Sequence, residues 1–310
     1  MLDPDTVTAP RPRFQRLHDR LAGRPADTTL RRDIPDPLAP VLRHWVRLAS
    51  QHDDEVPQRV ALRLGLSPIP GGQPDQFSFL DALCNVSTDP DLLDVVDAVL
   101  AVHRAPSWAR VRTRGTRLPS DDAARAQVAD NYAQLIANLI NALEDAGSAY
   151  TVAADNRSLV ERVDPTVAAG VEQTIAAAAP TAGTLLRDAW NRTYGLHPDP
   201  TAAYHAAVRA VEEVACPLVL PADGAGTLGK VIGNLRQGGH KWSFVLVDRD
   251  GADTVEPLVA MLDRLWTGQI SRHGGGKNSG DQSQAEAAAS VHLAATLVQL
   301  LGAGALTRQP

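Results

Sequence analysis

The Asp-Pro pairs at 89–90, 164–165 and 199–200 each stand where an apolar pattern of helical period begins or resumes. An aspartate can accept from the free amides of a helix start, and the fixed φ of proline suits the first turn. The pairs therefore predict helix starts, and the residues behind them supply buried faces. After the first, Leu92, Val95, Val96, Val99 and Leu100 return every three or four positions. After the third come two adjacent stripes, Ala203, Ala207, Ala210 and Val214 beside Tyr204, Val208, Val211 and Ala215. Such spacing buries one face of a helix and does not suit a strand.

The same period recurs elsewhere. Val41, Trp45 and Leu48 mark a helix over 40–50. Val128, Tyr132, Leu135, Ile136, Leu139 and Ile140 mark another, opened by Ser120-Asp121-Asp122 and ended by Gly147. Two more are expected across 166–195, broken near Pro180, with a short one near 14–22. Leu228, Val231, Ile232 and Leu235 follow Thr227, and Val255, Leu258, Val259, Leu262, Leu265 and Trp266 form a wide face. Ser283-Gln284-Ala285-Glu286 has capping-box spacing ahead of Ala287, Val291, Ala294, Val298 and Leu301. Cys216-Pro217 is expected to stop the helix that begins at Pro200. Two stretches break the pattern. Tyr150, Val152, Asp155-Asn156, Leu159 and Val163 predict a small β-hairpin over 149–163. The run Trp242 to Val247 fits either strand or helix.

The expected fold is mostly α. An N-terminal helical region (1–105) and a segment of linker, helix and hairpin (106–184) precede a C-terminal helical bundle (185–310). Aromatic residues are only 4% of the 310, so the core is built from Ala, Val and Leu. That suits close helix contact better than a β-sandwich. Cys84 and Cys216 lack metal-ligand spacing and read as small apolar residues, with a disulfide the other option. No basic start leads into an apolar run, and no charge-free apolar stretch of about 18 residues is expected, so neither signal peptide nor membrane span is predicted. The expectation is a soluble cytoplasmic protein.

A net charge of −6 with no long block of one sign gives no global basic face for nucleic acid, which leaves only a local patch. Three Gly-flanked groups carry the candidate chemistry. Gly224-Ala225-Gly226-Thr227-Leu228-Gly229-Lys230 matches the spacing of a phosphate-binding loop. Val231 stands where that loop needs a magnesium-holding hydroxyl, and a helix precedes it instead of a strand, so it reads as a loop with Thr227 capping a helix. Arg236-Gln237-Gly238-Gly239-His240-Lys241 reads either as a helix terminus with its cations at the negative end or as part of a groove. Ser271-Arg272-His273-Gly274-Gly275-Gly276-Lys277 joins a histidine that titrates near neutrality to a guanidinium that can grip phosphate in a Gly-rich turn. Such a pair can support metal-independent RNA cleavage, and it can equally be a solvated turn. His205 and His292 are expected to be semi-buried and hydrogen-bonded. No metal site and no cofactor is indicated, since H-E-x-x-H, C-x-x-C and G-x-S-x-G are all missing.

An ordered set of short motifs in the last third resembles the abortive-infection C-terminal family of bacterial phage-defence proteins. It runs Asp199-Pro200-x-x-Ala203-Tyr204, Thr227-Leu228-Gly229-Lys230-Val231-Ile232, Leu265-Trp266-x-Gly268-x-x-x-Arg272-His273-Gly274, and Glu286-Ala287-x-x-x-Val291-His292. The resemblance covers about residues 185–305. It implies a HEPN-like helical bundle that binds or cleaves RNA, homodimeric, with a defence-system or phage protein as a further partner and no membrane. Arg272 and His273 would then be catalytic, with Arg236, His240, Lys241 and Lys277 lining the RNA groove. HEPN ribonucleases place four to six residues between Arg and His. Here Arg272 and His273 are adjacent, and Arg236 and His240 have three between them. The alternative is a non-catalytic sensor, oligomerisation or protein-interaction module.

Overall fold

A computed structural model of the chain describes residues 17–23, 29–50, 55–67, 76–85, 91–102, 122–247, 249, 253–270 and 280–309. It is mostly helical, with two small antiparallel sheets. The chain divides into two compact units, 1–162 and 163–310. That division falls inside the expected 106–184 segment, just after the hairpin.

The first unit holds α1 (Leu17–Leu21), α2 (Leu38–Ser50), α3 (Glu55–Leu64), α4 (Gln76–Cys84), α5 (Asp91–Val102) and α6 (Asp122–Asp145). The stripe of α5 is buried along its whole length, as its spacing requires. Asp89-Pro90, the cap expected ahead of it, lies outside the described residues. The face of α2 differs from expectation. Trp45 is buried beside Leu38, Leu42, Val46 and Ala49, whereas Val41 and Leu48 are exposed. The helix begins at Leu38, and its core stripe runs through 38, 42, 45, 46 and 49, so 41 and 48 flank it. α6 ends on Gly147 at φ +69, where the amides of Gly147 and Ser148 return to Glu144 and Leu143.

The expected hairpin is present. β1 (Tyr150–Val152) pairs antiparallel with β2 (Leu159–Glu161), in the register Thr151↔Val160. Asn156 takes the left-handed conformation at its turn, φ 59, which a short amide side chain tolerates.

The second unit holds α7 (Pro165–Ala177), α8 (Pro180–Tyr194), α9 (Pro200–Val219), α10 (Leu228–Gly238), α11 (Glu256–Thr267) and α12 (Gln284–Gly302), with β3 (Trp242–Phe244) and β4 (Leu306–Arg308). Its caps are those the sequence predicts. Asp164 accepts from Thr166 and Val167, and Asp199 accepts from Ala202. Ser283 and Glu286 close a full capping box. Leu186, Ala207, Val211, Leu235, Leu262 and Val291 belong to one buried cluster that runs through α8 to α12. Proline does not end α9: the helix continues through Pro217 to Val219. Pro217 is exposed in the last turn, so its ring meets solvent, and the missing amide costs little where few helical bonds remain.

α12 also corrects an expectation. Residues 287–307 carry no Asp, Glu, Lys or Arg, and by length and composition α12 can cross a membrane, with mean hydropathy 1.2. In this fold 44% of that window is buried, with Val291, Ala294 and Val298 inside the cluster. A helix apolar on most sides is what the centre of a bundle demands.

Candidate functional site

α10 sets the position of the site. Thr227 Oγ1 caps it by accepting from the Lys230 amide, and Glu212 Oε1 of α9 accepts from the Leu228 amide at 2.8 Å. A Cβ built on Gly229 would sit 2.9 Å from the Trp266 ring, so only glycine lets α10 lie this close to α11. Leu228, Val231, Ile232 and Leu235 are buried, which fixes the azimuth of the helix and turns Asn234, Arg236 and Gln237 outward.

A single 3₁₀ turn, Gly239–Lys241, leads from α10 into β3. β3 pairs antiparallel with β4, which sets Trp242 opposite Arg308, and the Lys241 carbonyl accepts from the Gln309 amide at 2.8 Å. Lys241 and Arg308 are thereby brought to one cleft of about 360 Å³. Asn234 and Gln237, one turn apart on α10, line it with them. Leu218, Val219 and Pro221, from the end of α9 and the loop after it, complete the lining with the buried Trp242. Both cations are exposed, and among the described residues no carboxylate pairs with either. Two exposed cations lining one cleft make a local anion-attracting patch within an acidic chain.

The residues singled out in the sequence divide accordingly. Lys241 is in the cleft. Arg236 is tied to Asp263 of α11 at 3.1 Å, both partly exposed, and His240 is exposed on the 3₁₀ turn. Arg272, His273 and Lys277 lie outside the described residues. Sequence reasoning missed Arg308, Asn234 and Gln237. Arg308 lies 67 residues from Lys241 in the chain, and only the β3–β4 pairing joins them. A turn-forming Gly304 ahead of Leu306-Thr307 was the one local sign of a strand there.

The phosphate-loop lookalike is closed on itself. Lys230 Nζ donates to Asp223 Oδ2 at 2.8 Å and to the Ala225 carbonyl at 3.0 Å. The bond from Lys230, then the one from the Ala225 amide, holds the Asp223 carboxyl below its ordinary range. Helix α9, not a strand, precedes the loop.

A second cluster sits on α8 and α12. The Tyr194 hydroxyl and His292 Nε2 share a hydrogen bond of 2.8 Å, and Trp190 meets the imidazole edge-on with ring centroids 5.6 Å apart. Burial lowers the His292 pKa. His292 is half-buried as expected, but His205 is exposed, because it projects from α9 away from the face that carries Tyr204. Cys84 and Cys216 are both free thiols, and burial raises the pKa of each. Among the described residues no group of three or more His, Cys, Asp or Glu is arranged to hold a metal ion. No family model matches the chain, and no curated protein and no solved structure matches it either.

Proposed function

We propose that this is a phage-defence-type protein whose C-terminal unit is a HEPN-like helical bundle that binds RNA, with the sugar–phosphate backbone passing the cleft of Lys241 and Arg308. The observation that carries this reading is the pair of cations in a polar cleft that no carboxylate among the described residues pairs with. A guanidinium fork and an ammonium on one cleft suit phosphate oxygens, and backbone contacts of this kind dominate nucleic-acid affinity. Arg236, held by Asp263, and His240 follow along the same stretch of chain, and the resemblance assigns them and Lys277 to the groove.

Fluorescence anisotropy with a labelled single-stranded RNA tests the reading. Wild type binds at low salt, and log K falls with log salt. Lys241→Glu and Arg308→Glu each weaken binding across all sequences and reduce the slope by about 1. Absence of binding by wild type at low salt, or variants indistinguishable from it, overturns the reading. Cleavage is the further part of the proposal, with Arg272 as phosphate clamp and His273 as acid/base. In EDTA, His273→Ala slows cleavage by ~10²–10⁴-fold. Activity that survives this substitution removes the site.

A second reading, an oligomerisation or protein-interaction module, is favoured by one observation. Val245, Leu246 and Val247, which follow β3, are 64%, 59% and 58% exposed. Three consecutive exposed apolar residues mark an interaction surface more often than isolated ones do. Under this reading Leu246→Asp turns a dimer into a monomer in sedimentation. A wild-type chain that sediments as a monomer at all concentrations rejects it.

A further inference from the structure

The cleft holds more than a phosphate clamp. Asn234 and Gln237 stand one helical turn apart on α10, and both carboxamides reach the same cleft as Lys241 and Arg308. A carboxamide presents a donor pair and an acceptor, which matches the mixed edge of a nucleobase and adds nothing that a bare phosphate needs. Leu218, Val219 and Pro221 line the same cleft, but it exposes mainly polar surface. Cations and amides in one cleft complement two parts of a nucleotide, the phosphate and the base edge.

We propose that this cleft binds one nucleoside monophosphate unit, with its phosphate on Lys241 and Arg308 and its base edge on Asn234 and Gln237. The unit is either a free nucleotide or one residue of an RNA strand. In the second form the inference rests on the RNA-binding reading above and adds base preference to it. A strand bound through backbone alone shows no preference, whereas two amides on a base edge discriminate among the four bases.

Calorimetric titration of the full chain with AMP, GMP, CMP, UMP and ribose 5-phosphate tests this, with an RNA octamer as competitor. At least one of the four monophosphates is expected to bind ten-fold or more tightly than ribose 5-phosphate. Lys241→Gln and Arg308→Gln weaken every one of these probes. Asn234→Ala combined with Gln237→Ala brings the preferred nucleotide to the level of ribose 5-phosphate and leaves ribose 5-phosphate itself unchanged. All four side chains are exposed, so melting temperatures stay within a degree or two of wild type and serve as the folding control. Equal binding of nucleotides and ribose 5-phosphate, or a preference that survives the double amide variant, overturns the proposal. The two readings fail separately. An octamer that binds but is not displaced by any monophosphate sinks the nucleotide subsite and leaves RNA binding standing. Monophosphates that bind where the octamer does not sink RNA binding and identify a free nucleotide as the ligand.

Discussion

At Gly183, α8 lies close against α7: a Cβ placed there would lie 2.6 Å from the Ile175 carbonyl oxygen. The obstacle is backbone, so relief requires the helix pair to separate. Gly183→Ala is therefore expected to destabilise the protein by about 1–3 kcal/mol, the range typical of overpacking. Gly233, in the middle of α10, has no atom within 4 Å of the same position. There Gly→Ala restricts the unfolded chain and favours helix, and stability rises by about 0.4–1 kcal/mol. Chemical denaturation of the two variants should give opposite signs; a stabilised Gly183→Ala refutes the close approach, and a destabilised Gly233→Ala refutes the open position. Val291 makes a sharper case. It is fully buried between elements of the core cluster. An unpaired carboxylate there costs several kcal/mol, so Val291→Asp is expected to abolish the cooperative thermal transition or lower it drastically. An unchanged melting temperature would show that the stripe of α12 is not core.

Helices announced themselves through caps and period, and both are local chemistry. Asp164, Asp199, Thr227 and the Ser283–Glu286 box all act as the short patterns around them require. Pro217 misled because the sequence shows a missing amide but not which way the ring faces. The strand type of Trp242–Phe244 was illegible for a different reason: three residues carry no period, and their partner is the last strand of the chain. The α8–α12 contact adds a pH prediction. Burial holds the His292 pKa below 6.5, so the folded state resists a proton that the unfolded chain accepts. Stability is then full above about pH 6.5 and declines as the pH falls toward the depressed folded value, below which no further loss comes from this residue. His292→Gln should flatten that part of the stability curve measured by denaturant titration between pH 7 and pH 5. An equally steep decline in the variant assigns it to other groups.

At the scale of the molecule, the sequence makes the helical class and the hairpin plain but hides the cleft. Lys241 is visible as a cation after a helix. Its meaning depends on Arg308, and that neighbour is supplied by antiparallel pairing between strands of three residues, a long-range event that no local pattern encodes. The same pairing closes the second unit. The cluster around Ala207, Val211 and Val291 takes its members from Val171 through Leu306, all within 163–310, and includes Phe244 of β3 and Leu306 of β4. A region with its own continuous apolar core meets the requirement for folding alone. A fragment of residues 163–310 is thus expected to fold, with helical circular dichroism and one cooperative melt. Truncation before Ala305 should weaken that melt. It strips β3 of its partner and removes Ala305 and Leu306, which are buried in the same cluster. Cutting at 302 should therefore lower stability and also eliminate anion binding by the cleft, since Arg308 goes with the strand. Arg308→Gln in the full fragment separates these effects, because it removes the charge and leaves β4 in place. A fragment that melts without cooperativity would mean that the cluster needs residues 1–162. A 163–302 fragment as stable as 163–310 would mean that β4 is a bystander to the core.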